Sequence, residues 1–251
     1  MFLALPKALT RLQSLLSPNL ESFVFGGCSM KKLVVFDSPL LTAVSIDLPS
    51  VEEDEVDEED KSDFNLVKAF GRARNINTLT LLGYSLTFLG LSGVPKTISL
   101  IFNHLHVLTM AMDFDIDKEI KMTLCLLRAS PNIEQVEIIG ASHKQQEVVA
   151  EDEFWAEEGD FEIGEFWALQ DFLDLSKLRI LKLTNVTVTR QLVDFMAFLL
   201  PKAQQLETLM FNVAKPIEES KFRKLLDFVR AYTQAEIIPK GNGFLLFIPA
   251  L

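Results

Sequence analysis

Ser130-Pro131-Asn132-Ile133-Glu134-Gln135-Val136-Glu137-Ile138 decides the reading of this chain. Within it, Ile133, Val136 and Ile138 fill the apolar places of the phrase L-x-x-L-x-L. The last two lie two residues apart, so in an extended segment they point to one side while Gln135 and Glu137 point to the other. Such a segment buries one face and offers the opposite one to water. The phrase recurs in both directions, as Leu20/Phe23/Phe25, Met30/Leu33/Val35, Leu41/Val44/Ile46, Ile76/Leu79/Leu81, Leu105/Leu108/Met110, Leu178/Leu181/Leu183 and Leu206/Leu209/Phe211. Its repetition predicts stacked short strands with one continuous apolar spine.

That is the pattern of leucine-rich repeats. In the second half most phrases step by 28 or 29 residues, and the intervening apolar period changes from two to nearly four, which predicts helical crossovers between parallel strands. Leu192, Val193, Met196, Leu199 and Leu200 share one helical stripe, and Phe222, Leu225, Leu226 and Val229 another. Weaker stripes are Ile120/Leu124/Leu127, ended near Ser130-Pro131, and Leu66/Val67/Phe70/Ala73, opened by Asp63 as N-cap. Thr97 to Phe102 is a candidate extra strand. The first three phrases start at residues 20, 30 and 41, steps too short for an intervening helix, with Gly26-Gly27 and Ser38-Pro39 supplying turns. Three places after the last apolar position the repeat consensus wants Asn or Cys. Cys28 fits, whereas Ser38, Pro49, Tyr84, Asp113, Ala141, Val186 and Ala214 do not, so the repeats are irregular. Glu236 to Ile238 and Phe244 to Ile248, around Gly241-Asn242-Gly243, read as closing strands or a hairpin. The expected fold is α/β: an irregular solenoid with parallel strands on one side, helices and loops on the other, and a C-terminal strand or hairpin cap. Residues 1–177 form its main repeat region and residues 178–251 its last repeats and cap.

The net charge of −11 is localised. Glu52 to Asp63 holds nine acids and one base, and Glu147 to Glu165 nine acids and no base. Removing these from totals of 35 acids and 24 bases leaves 17 and 23, so the remaining scaffold is mildly basic. Both runs fall where the phrase spacing stretches, to 35 residues after Leu41 and 45 after Ile133, and mark acidic insertions near 50–63 and 144–165 that read as solvated loops. Lys7 and Arg11 interrupt the apolar N-terminal stretch, no run is long enough to cross a bilayer, and two distant cysteines, Cys28 and Cys125, suit a reducing compartment, cytoplasmic or nuclear. Without export, the sequon Asn185-Val186-Thr187 carries no modification.

Ser17-Pro18-Asn19-Leu20-Glu21 and Ser130-Pro131-Asn132-Ile133-Glu134 resemble the "SPxLE" repeat openings of plant F-box/leucine-rich-repeat proteins. Leu178 to Ile238 resembles the FBD region that ends many of them: Leu181-Lys182-Leu183 its strand, Val193 to Leu200 its "lefvkfLL" helix, Ala203-Gln204-Gln205-Leu206-Glu207 its "A-x-x-LE", and Arg230-Ala231 to Ile238 its "RASpxAxIvf". Trp167 matches a Trp that often precedes that region. The resemblance implies the substrate-recruiting arm of a cullin-type ubiquitin ligase. The family's F-box opening, "LPxxxLxxIL" with a downstream Trp, is not matched: Ala4-Leu5-Pro6 runs into Lys7-Ala8-Leu9-Thr10, and no Trp precedes Trp155. A ligase adaptor is therefore a partner only through an F-box lying upstream.

No catalytic residues are identified. His104 and His106 flank Leu105 with a spacing that suits zinc, but His143 and both cysteines sit elsewhere, so no metal or cofactor is expected. Cys125 lies in an apolar helical stripe that should hold its thiol protonated and inert. Phosphate loops, nucleophile elbows and H-E-x-x-H do not occur. Two functional classes stand. The first is a non-enzymatic module binding a protein or peptide, with no nucleic acid or membrane, through the solvent side of the strands: Ser22, Val24, Lys32, Val34, Thr78, Thr80, Val107, Thr109, Gln135, Glu137, Ile180, Lys182, Thr208 and Met210. The second is a small-molecule receptor whose second insertion folds over the strands, with Phe154, Trp155, Phe166 and Trp167 as lid.

Overall fold

A computed structural model describes residues 2–4, 15–16, 19–26, 36–49, 70, 74–90, 93, 101–141, 173–215, 219–232, 236–240 and 243–247. The predicted phrases build its framework. Strands β3 (Ser22–Gly26), β5 (Ala43–Leu48), β6 (Thr78–Gly83), β7 (Val107–Met112), β8 (Gln135–Gly140), β9 (Ile180–Val186) and β10 (Thr208–Val213) pair in parallel, each with the next. Register aligns Phe23, Val44, Leu79, Leu108, Val136, Leu181 and Leu209 in one row, and Phe25, Ile46, Leu81, Met110, Ile138, Leu183 and Phe211 in a second. All fourteen side chains are at most 6% exposed. Burying side chains of this size stabilises by about 1.5–3 kcal/mol each, so these two rows dominate the fold.

Three strands extend the sheet beyond the phrases. Strand β1 (Phe2–Ala4) joins β3 in parallel, and the hairpin of β11 (Glu236–Lys240) and β12 (Gly243–Phe247) closes the other edge. The order across all ten is β1-β3-β5-β6-β7-β8-β9-β10-β12-β11. The later hairpin strand, β12, lies inside and runs antiparallel to β10. A separate parallel pair joins β2 (Leu15–Leu16) to β4 (Phe36–Asp37).

Among the described residues, α1 (Ser85–Leu89), α2 (Asp117–Arg128), α3 (Arg190–Leu199) and α4 (Glu219–Tyr232) cover the core face, the last three on the period-four stripes. Asp117 and Glu119 stand in the first turn of α2 and Arg128 in its last, favourable places for those charges along the helix dipole. Ser130 then donates its hydroxyl to the Leu126 carbonyl at 2.7 Å, and Pro131 ends the run. Helix α3 starts where the Thr189 hydroxyl accepts the Leu192 N–H. The Phe195 ring meets Phe114 edge-on at 5.6 Å, tying α3 to the loop after β7.

Several expectations change. Strands β3 and β5 are hydrogen-bonded directly, with no strand between them, and Met30/Leu33/Val35 lies outside the described residues. Strands β6 and β7 likewise pair directly, so no strand stands between them; of the candidate strand at Thr97 to Phe102 only Ile101, exposed, and Phe102, fully buried, are described, both outside any strand, and the rest lies outside the described residues. Phe102 spends its apolar side chain on the core, edge-on to Phe70 at 5.9 Å, rather than on a sheet face. The spacing gave no hint of α1, because five residues are too few to show a helical period. The helix expected around Leu66 to Ala73 lies outside the described residues apart from Phe70, which is helical and fully buried. Cys28, His143 and both acidic insertions are likewise outside them.

Candidate binding face

The strands from β5 to β10 are introduced by a shared local geometry. In five repeats the chain turns just before its first apolar residue. Leu41, Leu105, Ile133, Leu178 and Leu206 donate their N–H to the carbonyls of Ser38, Phe102, Ser130, Leu175 and Ala203, at 3.0–3.3 Å. One residue later, a single carbonyl accepts two N–H groups from the next repeat. Glu21 serves Thr42 and Ala43, and the same device continues through Thr42, Asn77, His106, Glu134 and Arg179 to Glu207 and Thr208, with distances of 2.7–3.2 Å. Side chains reinforce this rim. Asn75 donates to the Pro39 carbonyl at 2.6 Å and Asn132 to the Asn103 carbonyl at 2.7 Å, while Arg179 meets Glu207 at 2.7 Å. The Glu207 carboxylate accordingly raises the Arg179 pKa.

Between the rims, the residues alternating with the core rows form the opposite face of the sheet. In register, one row is Ser22, Ala43, Thr78, Val107, Gln135, Ile180 and Thr208, and the next is Val24, Ser45, Thr80, Thr109, Glu137, Lys182 and Met210. All are partly exposed. The structure thus brings nine of the eleven principal sequence candidates together as neighbours: Thr78, Thr80, Val107, Thr109, Gln135, Glu137, Lys182, Thr208 and Met210. Lys32 and Val34 lie outside the described residues, as do Phe154, Trp155, Phe166 and Trp167. Sequence reasoning missed Ala43 and Ser45, which the phrase at Leu41 could have supplied, and, toward the strands' carboxyl ends, the neighbours Asp47 and Leu82 and the neighbours Ile139 and Thr184.

The chemistry of this face is hydroxyl-rich and aliphatic. Its first two rows hold two charges, Glu137 and Lys182, on adjacent strands and directly in register. No aromatic ring stands in those rows to stack a base or a sugar. A sparsely charged centre beside a polar rim is the anatomy of a protein-binding surface.

The carboxyl-end rim is built differently. A shallow recess there is lined by Asp113, Phe114, Asp115, Gly140, Ala141, Thr187 and Thr189. Glu119, fully buried, accepts the Asp113 N–H at 2.7 Å and the Thr87 hydroxyl, joining α1, α2 and the end of β7. On the opposite rim, His106 Nδ1 lies 2.6 Å from the His104 carbonyl and 3.0 Å from Asn77 Nδ2. Among the described residues, no three His, Cys, Asp or Glu side chains converge as metal ligands. Burial pushes the Cys125 thiol up to about 11, so it stays protonated at neutral pH. No helix among the described residues is long and apolar enough to cross a membrane.

No family model matches the chain, and neither does any solved structure. Over 220 residues it is 27% identical to an F-box/FBD/LRR-repeat protein of Arabidopsis thaliana, a match covering 86% of this chain and 50% of that protein. The chain therefore spans about half the length of the curated relative it matches. The α/β architecture, a parallel sheet carrying few helices, is compatible with a leucine-rich-repeat-like fold. Repeat phrase, sheet and similarity agree: this chain is a distant relative of a plant F-box/FBD/LRR-repeat protein.

Proposed function

We propose that this chain is a non-enzymatic protein-binding module, a solenoid whose open sheet face holds a protein or peptide target. The observation carrying the reading is the partly exposed double row from Ser22 to Thr208 and from Val24 to Met210, set opposite a core that is almost wholly buried. The rigid sheet fixes those side chains in place before binding, which limits the ordering entropy lost on association. The similarity to an F-box/FBD/LRR-repeat protein supports recruitment of targets to a cullin-type ubiquitin ligase. In that arrangement the repeats hold the target, and an F-box outside these residues holds the adaptor. The setting is cytoplasmic or nuclear.

Thr109→Trp places a bulky ring at the centre of the open face without touching the core. Affinity purification of the full-length product should recover adaptor, cullin and a target, and the Thr109→Trp variant should lose the target alone with an unchanged melting temperature. Retention of the target by that variant overturns the open-face reading. Failure to recover adaptor and cullin alongside a retained target overturns the ligase reading.

A further inference from the structure

Glu137 on β8 and Lys182 on β9 are direct register partners on the open face, and both are partly exposed. Despite that placement, neither side chain makes a hydrogen bond or an ion pair among the described residues. The rim below is wired differently. There Arg179 meets Glu207 at 2.7 Å, and Lys177 donates to the Asn132 side-chain oxygen at 2.5 Å. Acids and bases are interspersed along that rim, Glu21, Glu134, Asp174 and Glu207 with Arg74, Lys177 and Arg179, so its overall sign selects no partner. The pair on the face is more informative. Its row runs Thr109, Glu137, Lys182 and Met210 across four consecutive strands, with Ile180 beside Met210 and Lys182 on the same face. The two charges therefore have a hydroxyl on one flank and aliphatic side chains on the other. Left in water, such a pair contributes little to the fold. Covered by a partner that answers only one of the charges, it leaves the other desolvated and unmatched, a cost well above what an exposed pair gains. A segment carrying both signs in matching order avoids that cost.

Resting on the open-face reading, we infer that Glu137 and Lys182 determine the specificity of the face, and that the partner is an extended protein segment bearing both charges. It sets a Lys or Arg against Glu137, an Asp or Glu against Lys182, and an aliphatic residue beyond these against Ile180 and Met210. In an extended segment every second residue faces the sheet, about 6.7 Å apart, against about 4.8 Å between strands. The long, unbonded side chains of Glu137 and Lys182 absorb the difference. A segment with its charges in the opposite order meets like against like and is rejected.

The test uses the full chain and two labelled peptides of identical composition, followed by fluorescence anisotropy. In the first, threonines alternate with lysine, glutamate and leucine in that order; in the second, the lysine and glutamate are exchanged. The first should bind roughly tenfold more tightly. Because the two carry equal net charge, general attraction to the protein cannot produce that difference. Exchanging the charges on the protein, Glu137→Lys together with Lys182→Glu, should reverse the preference without changing the melting temperature. Equal binding of the two peptides, binding of neither, or an unreversed preference in the exchanged variant overturns the inference. Thr109→Trp separates its failure from failure of the open-face reading. If that variant releases peptides that show no preference, the face holds segments without discriminating through the pair. If it leaves the first peptide bound, the open-face reading itself falls.

Discussion

The two rims of the sheet solve the same connection problem in opposite ways. At the amino ends, the phrases of the paired strands β3 and β5 to β10 begin 21, 35, 29, 28, 45 and 28 residues apart, yet each strand from β5 on is met by the same shared carbonyl and most by the same tight turn. At the carboxyl ends one bond recurs, with Tyr84, Ala141 and Ala214 donating to the Leu48, Met112 and Val186 carbonyls at 2.9–3.0 Å, but the exits differ: through Gly83 into α1, through Asp113 toward α2, through Gly140 and Ala141, and through Asn185 toward α3. A regular rim sets the register, and the irregular rim absorbs every change of length. Variation is thereby kept where it cannot shift a core residue to the wrong face.

Substitutions at the two rims should break this contrast in different ways. The largest effect is expected from Gly83→Ala on the irregular side. Its φ is +57°, and a methyl group there would stand 1.9 Å from the Leu48 carbonyl oxygen, a backbone atom that cannot swing aside. A loss of about 4 kcal/mol in urea unfolding is expected. On the regular side, Ile133→Ala empties a site that is 1% exposed and should cost about 3 kcal/mol in the same measurement. An Ile133→Ala loss well below 1 kcal/mol would mean that the turn, rather than the apolar residue, fixes the strand.

Titration sharpens the comparison. Burial raises the Asp194 carboxyl from its ordinary 3.8 to about 6, against the opposing pull of Arg190, and leaves its Oδ1 buried without a hydrogen bond. With the folded-state pKa above the unfolded one, the folded form takes up the proton first. Stability from this group is complete below about pH 4 and is lost as pH rises through about 6. Asp194→Asn should flatten that slope and stabilise the protein at neutral pH by on the order of 1 kcal/mol, after allowing for solvent screening. Asp174, on the turn that introduces β9, has the opposite sign. Its pKa is lowered chiefly by the Ser176 N–H, so its contribution is present above the ordinary 3.8 and fades as pH falls. Asp174→Asn should weaken the protein slightly at neutral pH and leave it unchanged in strong acid. The smallest effect belongs to Glu207→Ala, since the Arg179–Glu207 pair is about half exposed on both sides; a change within about 0.5 kcal/mol is expected from thermal unfolding.

What could be read beforehand follows the same division. Ile133/Val136/Ile138 and its relatives gave strand positions, the buried side and the alternation because those depend on residues two or three apart. The stripes at Ile120 and Leu192 gave α2 and α3 for the same reason. The phrase Met30/Leu33/Val35 falls between β3 and β5 in sequence, outside the described residues, yet those two strands pair directly, because pairing is decided by which strands meet and not by the spacing of phrases. The open-face candidates from Thr78 to Met210 followed from alternation. Ala43 and Ser45 were equally legible and were overlooked. Glu119 was not, since its buried bonds to the Asp113 N–H and Thr87 join residues up to 32 positions apart, and no local spacing announces them.

The reversed hairpin has a consequence for how such a molecule could grow. Strand β12 runs against β10, and the outermost strand carries Pro239, which has no N–H to donate. Gene duplication could lengthen the array ahead of β10 by slipping in further copies of the same unit. Past the hairpin, a copied unit would meet β11, which again runs in the repeat direction but has no N–H at Pro239, so it is this missing donor, and not strand direction, that sets that flank apart.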